Sequence, residues 1–222
     1  MRGIATAVAA EPDEAQLVAG AKQRDEAAIR AIIRRYNQSL FRLARGILGD
    51  NDAEDALQEA YLHAFRGIGE FRGEASLRTW LGRIVVNTAR ERLRRRRRAA
   101  RLGACGEDVI AFPLATANRN PEETMAHEQL RQLIEQAIDE LPPDFRSVVV
   151  ARLLEEMSVE ETAQVLDLKP ETVKTRLHRA RRLLRAAIER RIGAVMTDAF
   201  PFGDERCQRV ADRVIEGLRL DC

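Results

Sequence analysis

The sequence predicts an all-α protein: two small helical domains joined by a flexible linker, the second of them a helix-turn-helix domain. Three features of the 222-residue chain support this fold class. Apolar residues recur at spacings of three and four along most of the sequence, which is the pattern of amphipathic helices. No segment alternates between apolar and polar residues, so we expect no sheet. The helical pattern is lost over residues 101–124, where glycine, proline and asparagine indicate a linker.

Charge is segregated along the chain. Charged residues make up 32% of it, yet the net charge is only +2. Acidic residues cluster at 50–59 and 120–140, and basic ones at 83–101 and 174–191. Such segregation is typical of a protein that meets nucleic acid with some faces and a protein partner with others. No apolar run approaches the roughly 18–20 residues of a membrane span, and the N-terminus lacks a secretory core. We therefore expect a cytoplasmic protein without membrane insertion.

The residue types of catalytic and metal sites are sparse. The three cysteines and three histidines form no C-x-x-C or H-x-x-x-H pair, although a metal site assembled from distant residues stays open. We find no nucleophile–base pair and no phosphate loop. We therefore expect no cofactor, no metal and no enzymatic activity.

The first domain, over residues 13–100, contains three predicted helices after a disordered N-terminus at 1–12. The first is long and carries an apolar stripe from Ile29 to Ile47. The second begins after Asp52, the expected N-cap, and buries one face that includes Leu57 and Tyr61. Its opposite face carries acidic and amide side chains: Glu54, Asp55, Gln58 and Glu59. A glycine-rich loop, "RGIGEFRGEAS", leads to the third helix.

The third helix runs from about Leu77 into five consecutive arginines, Arg94 to Arg98. One face is apolar, and another carries a basic stripe: Arg83, Asn87, Arg90, Arg94 and Arg97, with Trp80 at its edge. Asparagine can hydrogen-bond a base edge, tryptophan can stack on an unpaired base, and arginines can follow the phosphates. The stripe therefore indicates a nucleic-acid surface. A solvated helix end for the arginines and a core position for Trp80 are the alternatives.

The second domain, over residues 125–195, carries the helix-turn-helix pattern. A helix precedes "LPPD", and the next helix is expected to bury Phe145, Val148, Val149, Leu153 and Leu154. Ser158 and Glu161 form a capping box that opens a short helix, and Pro170 opens the following one. The exposed face of that helix carries Lys174, Thr175, His178, Arg179, Arg182 and Arg185. This layout favours a recognition helix in a major groove over an ordinary hairpin with a solvated charged face.

The extension at 196–222 has an apolar stripe at Val210, Val214, Ile215 and Leu218, which predicts a short amphipathic helix. We expect this helix to pack on the second domain. The alternative is an interaction or regulatory tail that uses Cys207 and Cys222.

Three stretches, in order, resemble extracytoplasmic-function (ECF, group IV) sigma factors of bacterial RNA polymerase over residues 13–192. They are "DAEDALQEAYLHAF", "FRGEASLRTWLGRIVVNTARERLRRRRR" and "LPPDFRSVVVARLLEEMSVEETAQVLDLKPETVKTRLHRARRLLR". The resemblance implies that the first domain is sigma domain 2, which binds core polymerase and melts the minus-ten element. It implies that the second is sigma domain 4, which reads the minus-thirty-five element.

The resemblance also implies three sets of site residues. Core polymerase would be bound by Asp52, Glu54, Asp55, Gln58 and Glu59. The minus-ten element would be bound by Phe71, Arg72, Ser76, Trp80, Arg83, Asn87, Arg90, Arg94, Arg95, Arg97 and Arg98. The minus-thirty-five element would be bound by Pro170, Thr172, Lys174, Thr175, Arg176, His178, Arg179 and Arg182.

The implied partners are the clamp helices of the largest polymerase subunit, the flap of the beta subunit, promoter DNA and an anti-sigma factor that controls a stress response. The alternative is a stand-alone helix-turn-helix regulator whose first domain serves dimerisation or ligand sensing. Such a regulator needs neither the acidic helix nor the asparagine-bearing basic helix, so these two features favour the sigma factor.

Overall fold

The computed structural model of the chain describes residues 13–50, 52–101, 121–197 and 204–219. The predictions for residues 1–12 and for most of the linker lie outside these ranges. Helical structure extends to Arg101 on one side of the linker and resumes at Pro121 on the other, so both ends of the predicted linker are helical. The described residues form helices and turns, which confirms the predicted all-α fold.

The first domain is built around one long helix. Its elements are α1 (Glu14–Lys22), α2 (Glu26–Leu48), α3 (Ala53–Arg66), a 3₁₀ turn (Ile68–Glu70) and α4 (Leu77–Arg101). Helix α2 packs against α1, α3 and α4. The core between them contains fully buried aliphatic side chains: Ile32, Leu40, Leu43, Leu77, Leu81, Val85 and Val86. Helix α1 was not predicted from the sequence, although Asp13 and Asp25 cap the N-termini of α1 and α2.

The N-terminus of α3 differs from the expected cap. Asp52 occupies the N-cap position, but its side chain makes no capping hydrogen bond. Its carboxylate instead lies 3.2 Å from Arg96 Nη1 and 3.7 Å from Arg92 Nε, both on α4. The predicted N-cap position is therefore confirmed, whereas the capping hydrogen bond is not made, because two guanidinium groups of α4 attract the carboxylate away from the backbone N–H groups.

The second domain consists of α5 (Pro121–Asp139), α6 (Pro143–Val149), α7 (Val159–Leu166) and α8 (Pro170–Thr197). The Ser158–Glu161 capping box and the N-terminal position of Pro170 are confirmed. Helix α6 continues into a π-helical turn over Val150–Leu154. The predicted burial of Leu153 and Leu154 was wrong, since they are 39% and 41% exposed. A π turn accommodates an extra residue, which rotates the following side chains off the apolar face.

The two domains pack against each other. Helix α2 contacts α6 and the π turn, and α4 contacts α7. One continuous core joins Leu43 and Leu81 of the first domain to Val148 and Val165 of the second. This docking was not predicted.

The predicted amphipathic helix in the extension is present as α9 (Asp204–Arg219). Its Val210, Val214 and Ile215 are 52%, 54% and 49% exposed, so the expectation that this face packs on the second domain was wrong. Nothing in the described part of the chain has both the length and the apolarity of a membrane-spanning helix.

Candidate nucleic-acid and polymerase interfaces

The acidic face of α3 is exposed but partly engaged with α4. Glu54, Asp55 and Gln58 are exposed and Glu59 is half-buried. Asp55 accepts a 2.9 Å hydrogen bond from Arg92 Nη2, and its side chain remains 64% exposed. The face therefore keeps accessible carboxylates while the ion pairs fix its position relative to α4.

The basic stripe and the arginine run of α4 contain arginines that form ion pairs with carboxylates and others that, among the described residues, do not. Arg83, Asn87 and Arg94–Arg98 are exposed. Arg95 pairs with Glu91 one turn earlier, and Arg96 pairs with Asp52. Within the described ranges, no carboxylate lies within ion-pair distance of the other three: Arg94, Arg97 and Arg98. These three arginines are therefore the members of the run whose charge no carboxylate of the described residues neutralises.

Arg90 of α4 differs from the rest of the stripe because it is half-buried. Burial lowers the pKa of the Arg90 guanidinium, while Asp144 and Asp167 of the second domain act in the opposite direction. Arg90 thus faces the domain boundary in this arrangement rather than open solvent.

The loop before α4 is held at both ends. Lys22 Nζ donates a 3.0 Å hydrogen bond to the Phe71 carbonyl, and Ser76 Oγ accepts one of 3.2 Å from the Thr79 N–H. The Phe71 and Trp80 rings lie 5.4 Å apart at 60°, and both pack against the core while staying half-buried. Trp80 therefore contributes to the core, as one of the two alternatives expected. Gly73 adopts φ +75°, a left-handed conformation that favours glycine, between exposed Arg72 and Glu74.

Helix α8 presents the polar face that its sequence predicts. The exposed residues are Pro170, Lys174, Thr175, His178, Arg179 and Arg182. Thr172 and Arg176 are half-buried, and Arg176 Nη2 lies 3.5 Å from the Asp144 carboxylate. Thr175 Oγ1 donates a 2.8 Å hydrogen bond to the Glu171 carbonyl. This face can thus offer several donors to a DNA groove.

A cavity of about 570 Å³ brings the two basic surfaces together. Its wall includes Arg97 of α4, the start of α6 at Pro142–Phe145, and the first turns of α8 with Thr172, Thr175, Arg176 and Arg179. Residues assigned by resemblance to two different DNA elements therefore line one cleft.

Sequence reasoning missed the residues that join the domains. Glu155 is 6% exposed and binds Arg42 and Arg78 of the first domain. Gly46 and Gly82 lie at helix positions where the second domain approaches closely. A glycine inside an amphipathic helix is a signal for such an approach, whereas the partners of Glu155 leave no local pattern. No group of three or more potential metal ligands occurs among the residues described here.

Comparison with known proteins identifies the class. The Sigma-70 region 2 family matches residues 32–99, which cover α3, most of α4 and most of α2. The Sigma-70, region 4 family matches residues 131–184, which include α6, α7 and much of α8. The fold is thus that of a sigma factor's two conserved domains.

Two curated relatives are ECF RNA polymerase sigma-E factors. The Haemophilus influenzae protein is 33% identical over 177 residues, which span 78% of this chain and 94% of the relative. The Escherichia coli K12 protein is 34% identical over 169 residues, which span 74% and 88% respectively. The chain belongs to the ECF family of RNA polymerase sigma factors.

Two solved structures share the fold. CnrH in complex with the cytosolic domain of CnrY has a TM-score of 0.55 at 26% identity, over 79% of this chain and 97% of that one. The sigma factor RpoE in complex with the anti-sigma factor NepR from Bartonella quintana has a TM-score of 0.58 at 20% identity, over 72% and 96%. As an ECF sigma factor, the chain binds RNA polymerase and directs it to promoters, and the stand-alone regulator is not favoured.

Proposed function

We propose that this sigma factor divides its work among three surfaces. The acidic face of α3 binds core polymerase, the basic stripe of α4 with the loop Phe71–Ser76 binds the minus-ten element, and the exposed face of α8 binds the minus-thirty-five element. The observation that carries this proposal is the opposition of charge on adjacent helices: α3 exposes carboxylates, while α4 exposes Asn87 among arginines that mostly have no ion-pair partner in the described ranges. One domain can thereby hold a basic protein surface and an acidic nucleic acid at once.

At the minus-ten element, a base leaves the duplex and is captured by the loop Phe71–Ser76 with Asn87. Extrusion of a base costs a few kcal/mol, which phosphate contacts and the capture site must offset. The exposed cations Arg83, Arg94, Arg97 and Arg98 follow the phosphates, and Arg72 extends the basic surface at the loop. Trp80 supports the loop by packing its ring against that of Phe71.

At the minus-thirty-five element, α8 enters the major groove by its N-terminal half. Lys174, Thr175, His178 and Arg179 supply base or phosphate contacts, and Arg182 reaches the backbone one turn further on. Pro170, Thr172 and Arg176 form the start of this surface. The support is the exposed polar face together with the confirmed helix-turn-helix geometry.

Core polymerase is bound through Asp52, Glu54, Asp55, Gln58 and Glu59, which meet the clamp helices of the largest subunit, while the second domain meets the flap of the beta subunit. We assign sigma domain 2 to residues 13–100, the linker to 101–124 and sigma domain 4 to 125–195. We further propose that the protein works in the cytoplasm, performs no catalysis of its own and is controlled by an anti-sigma factor, as CnrY and NepR complexes suggest for their own partners.

Run-off transcription with purified core polymerase tests this function. We expect the chain to direct specific transcripts from a library of promoter fragments only when core polymerase is present, and to bind the same duplexes weakly by itself. A tight shift of promoter duplex by the free chain, together with no transcript in the presence of core, would contradict the proposal in favour of a stand-alone regulator.

A further inference from the structure

Helix α1 (Glu14–Lys22) is held in place by the core of the first domain. Its Leu17 and Ala21 are buried, and they belong to the core that α2, α3 and α4 also form. A helix this short is marginal by itself, so packing rather than its own propensity keeps it in position. It lies outside residues 32–99, which the Sigma-70 region 2 family matches, so that match assigns no role to α1.

Two side chains of α1 bind the two ends of the proposed capture loop, Phe71–Ser76. Lys22 Nζ donates a 3.0 Å hydrogen bond to the Phe71 carbonyl, where the loop begins. Glu14 Oε1 accepts a 2.9 Å hydrogen bond from the Leu77 N–H, directly after the loop ends. Hydrogen bonds that involve a charged group are stronger than those between neutral groups. Each end of the loop is therefore bound to α1 by a charged side chain.

The spacing of these two side chains makes α1 a spacer of fixed length. Glu14 and Lys22 are eight residues apart, so they lie on the same side of the helix, roughly 12 Å apart along its axis. Arg72, Gly73 and Glu74 lie between the two bound ends of the loop and are exposed. The helix thus sets the distance between the loop ends and leaves the loop residues accessible.

Fixed ends matter for a loop that captures a base, because a mobile loop loses conformational freedom when it binds. A loop that is already ordered loses less, so more of the binding energy is left to offset the extrusion of the base. The Phe71 ring reports this order, since it lies 5.4 Å from the Trp80 ring of α4. Release of the Phe71 carbonyl from Lys22 would move the Phe71 ring away from Trp80.

We propose that Lys22 is a positioning residue for minus-ten recognition. By binding the Phe71 carbonyl it holds the start of the capture loop, while Glu14 holds the end, so the exposed loop residues meet an extruded base in one arrangement. Lys22 acts through the loop and not on the base. The inference rests on the minus-ten role proposed above for the loop Phe71–Ser76 with Asn87.

Substitutions at Lys22 separate the loss of this hydrogen bond from the loss of a charge. Lys22→Met keeps the length of the side chain but removes the donor and the charge, whereas Lys22→Arg retains both. Arg34→Met is the matched control, because it removes one cation from an exposed position of α2 that has no role in the proposed sites. Since Lys22 and Arg34 are both exposed, we expect all three variants to remain folded.

The first measurement is the fluorescence of the free chain, in which Trp80 is the only tryptophan. We expect Lys22→Met to increase the quenching of Trp80 by acrylamide, because the Phe71 ring no longer shields the indole. Lys22→Arg and Arg34→Met should be quenched as the unmodified protein is. Equal quenching of all four proteins would overturn the inference.

The second measurement is open-complex formation by the holoenzyme, on a promoter found by run-off transcription and on derivatives altered at the minus-ten element. At one salt concentration, we expect Lys22→Met to lower discrimination among these sequences by about two- to tenfold, as the loss of one net hydrogen bond would. Lys22→Arg should restore it. Equal weakening of all promoters by Lys22→Met and Arg34→Met, or an equal loss of discrimination in Lys22→Arg, would overturn the inference.

Asn87→Ala in the same assay separates this inference from the proposed function. If Asn87→Ala erases discrimination at the minus-ten element and Lys22→Met leaves it unchanged, the proposed function stands and the inference alone is wrong. If Asn87→Ala leaves discrimination unchanged, the minus-ten assignment itself is wrong, and the inference that rests on it is wrong as well.

Discussion

The Tyr36 hydroxyl of α2 donates a 2.8 Å hydrogen bond to Glu14 Oε2 of α1, and the other Glu14 oxygen accepts a 2.9 Å bond from the Leu77 N–H at the start of α4. One carboxylate thus links three helices of the first domain. It fixes the N-terminus of α4 beside the end of the loop Phe71–Ser76, which is the proposed minus-ten site.

The first prediction concerns this link. Tyr36→Phe leaves a partly buried carboxylate without one of its donors, so we expect it to lower the free energy of unfolding by about 1–2 kcal/mol. Tyr61→Phe is the matched control, since the Tyr61 hydroxyl is buried and has no hydrogen-bond partner in the described part of the chain. Its removal should be neutral or stabilising. Urea unfolding of the two variants measures both effects, and an equal loss in the two would contradict the role of Glu14.

The same variant has a defined pH dependence. Burial, and then the hydrogen bond to Glu14, raise the pKa of Tyr36 from its ordinary value of 10.0 to about 12. Folding therefore favours the neutral phenol, and this contribution is complete below pH 10 and is lost as the pH rises towards 12. We expect the stability of the unmodified protein to fall more steeply over that window than that of Tyr36→Phe. An equal fall in the stability of the two proteins over this pH range would contradict the raised pKa of Tyr36.

Backbone conformation at the end of the π turn leads to the second prediction. Glu156 has φ +52°, a left-handed conformation that favours glycine. Its side chain is exposed, so Glu156→Gly should raise the free energy of unfolding by about 0.5–1 kcal/mol. Gln38→Gly, at an exposed position in the middle of α2, should instead cost about 0.5–1 kcal/mol. Thermal unfolding compares the two, and destabilisation by both substitutions would refute the argument from φ.

The third prediction tests the acidic face of α3. Reversing the charge of both Asp55 and Glu59 should abolish co-purification with core polymerase while the domain remains folded. At position 55 the reversal replaces the ion pair with Arg92 by a repulsion between two partly exposed cations, and each such surface interaction is worth roughly 0–1 kcal/mol. Glu26→Lys, which breaks a similarly exposed pair with Arg30 on α2, is the control and should co-purify normally. Normal assembly of the Asp55 and Glu59 variant, with an unchanged helical spectrum, would exclude this interface.

The fourth prediction compares the arginines of α4 that form an ion pair with those that have no such partner among the described residues. Replacement of Arg94, Arg97 and Arg98 by Gln should flatten the salt dependence of promoter binding by about 0.7–0.9 log units for each phosphate that is no longer neutralised. Replacement of Arg95 and Arg96 should have a smaller effect per residue, because Glu91 and Asp52 already neutralise them. Holoenzyme binding to promoter DNA at several salt concentrations provides the slopes. Equal slopes for all variants would make the run a solvated helix end.

Features that depend on residues close together in the sequence could be predicted, whereas contacts between residues far apart in the sequence could not. The helices, the Ser158 capping box and the exposed polar face of α8 depend on residues within a few positions of one another, so the pattern of the sequence was sufficient to predict them. The π turn was missed because it differs from an α-helix by a single residue and carries no composition of its own. The domain docking was missed because Glu155 meets partners 113 and 77 positions away, which no local pattern records.

The central claim is that two separate surfaces read two promoter elements, and open-complex formation by Asn87→Ala and Arg179→Ala tests it most directly. Permanganate footprinting with core polymerase would compare each variant on promoters altered at the minus-ten or the minus-thirty-five element, at one salt concentration. We expect Asn87→Ala to erase discrimination among minus-ten sequences only. We expect Arg179→Ala to relax discrimination at the minus-thirty-five element only, by the roughly 1–3 kcal/mol that a bidentate base contact supplies. If either variant alters discrimination at the other element, or if neither alters any, the assignment of α4 and α8 to separate elements is wrong.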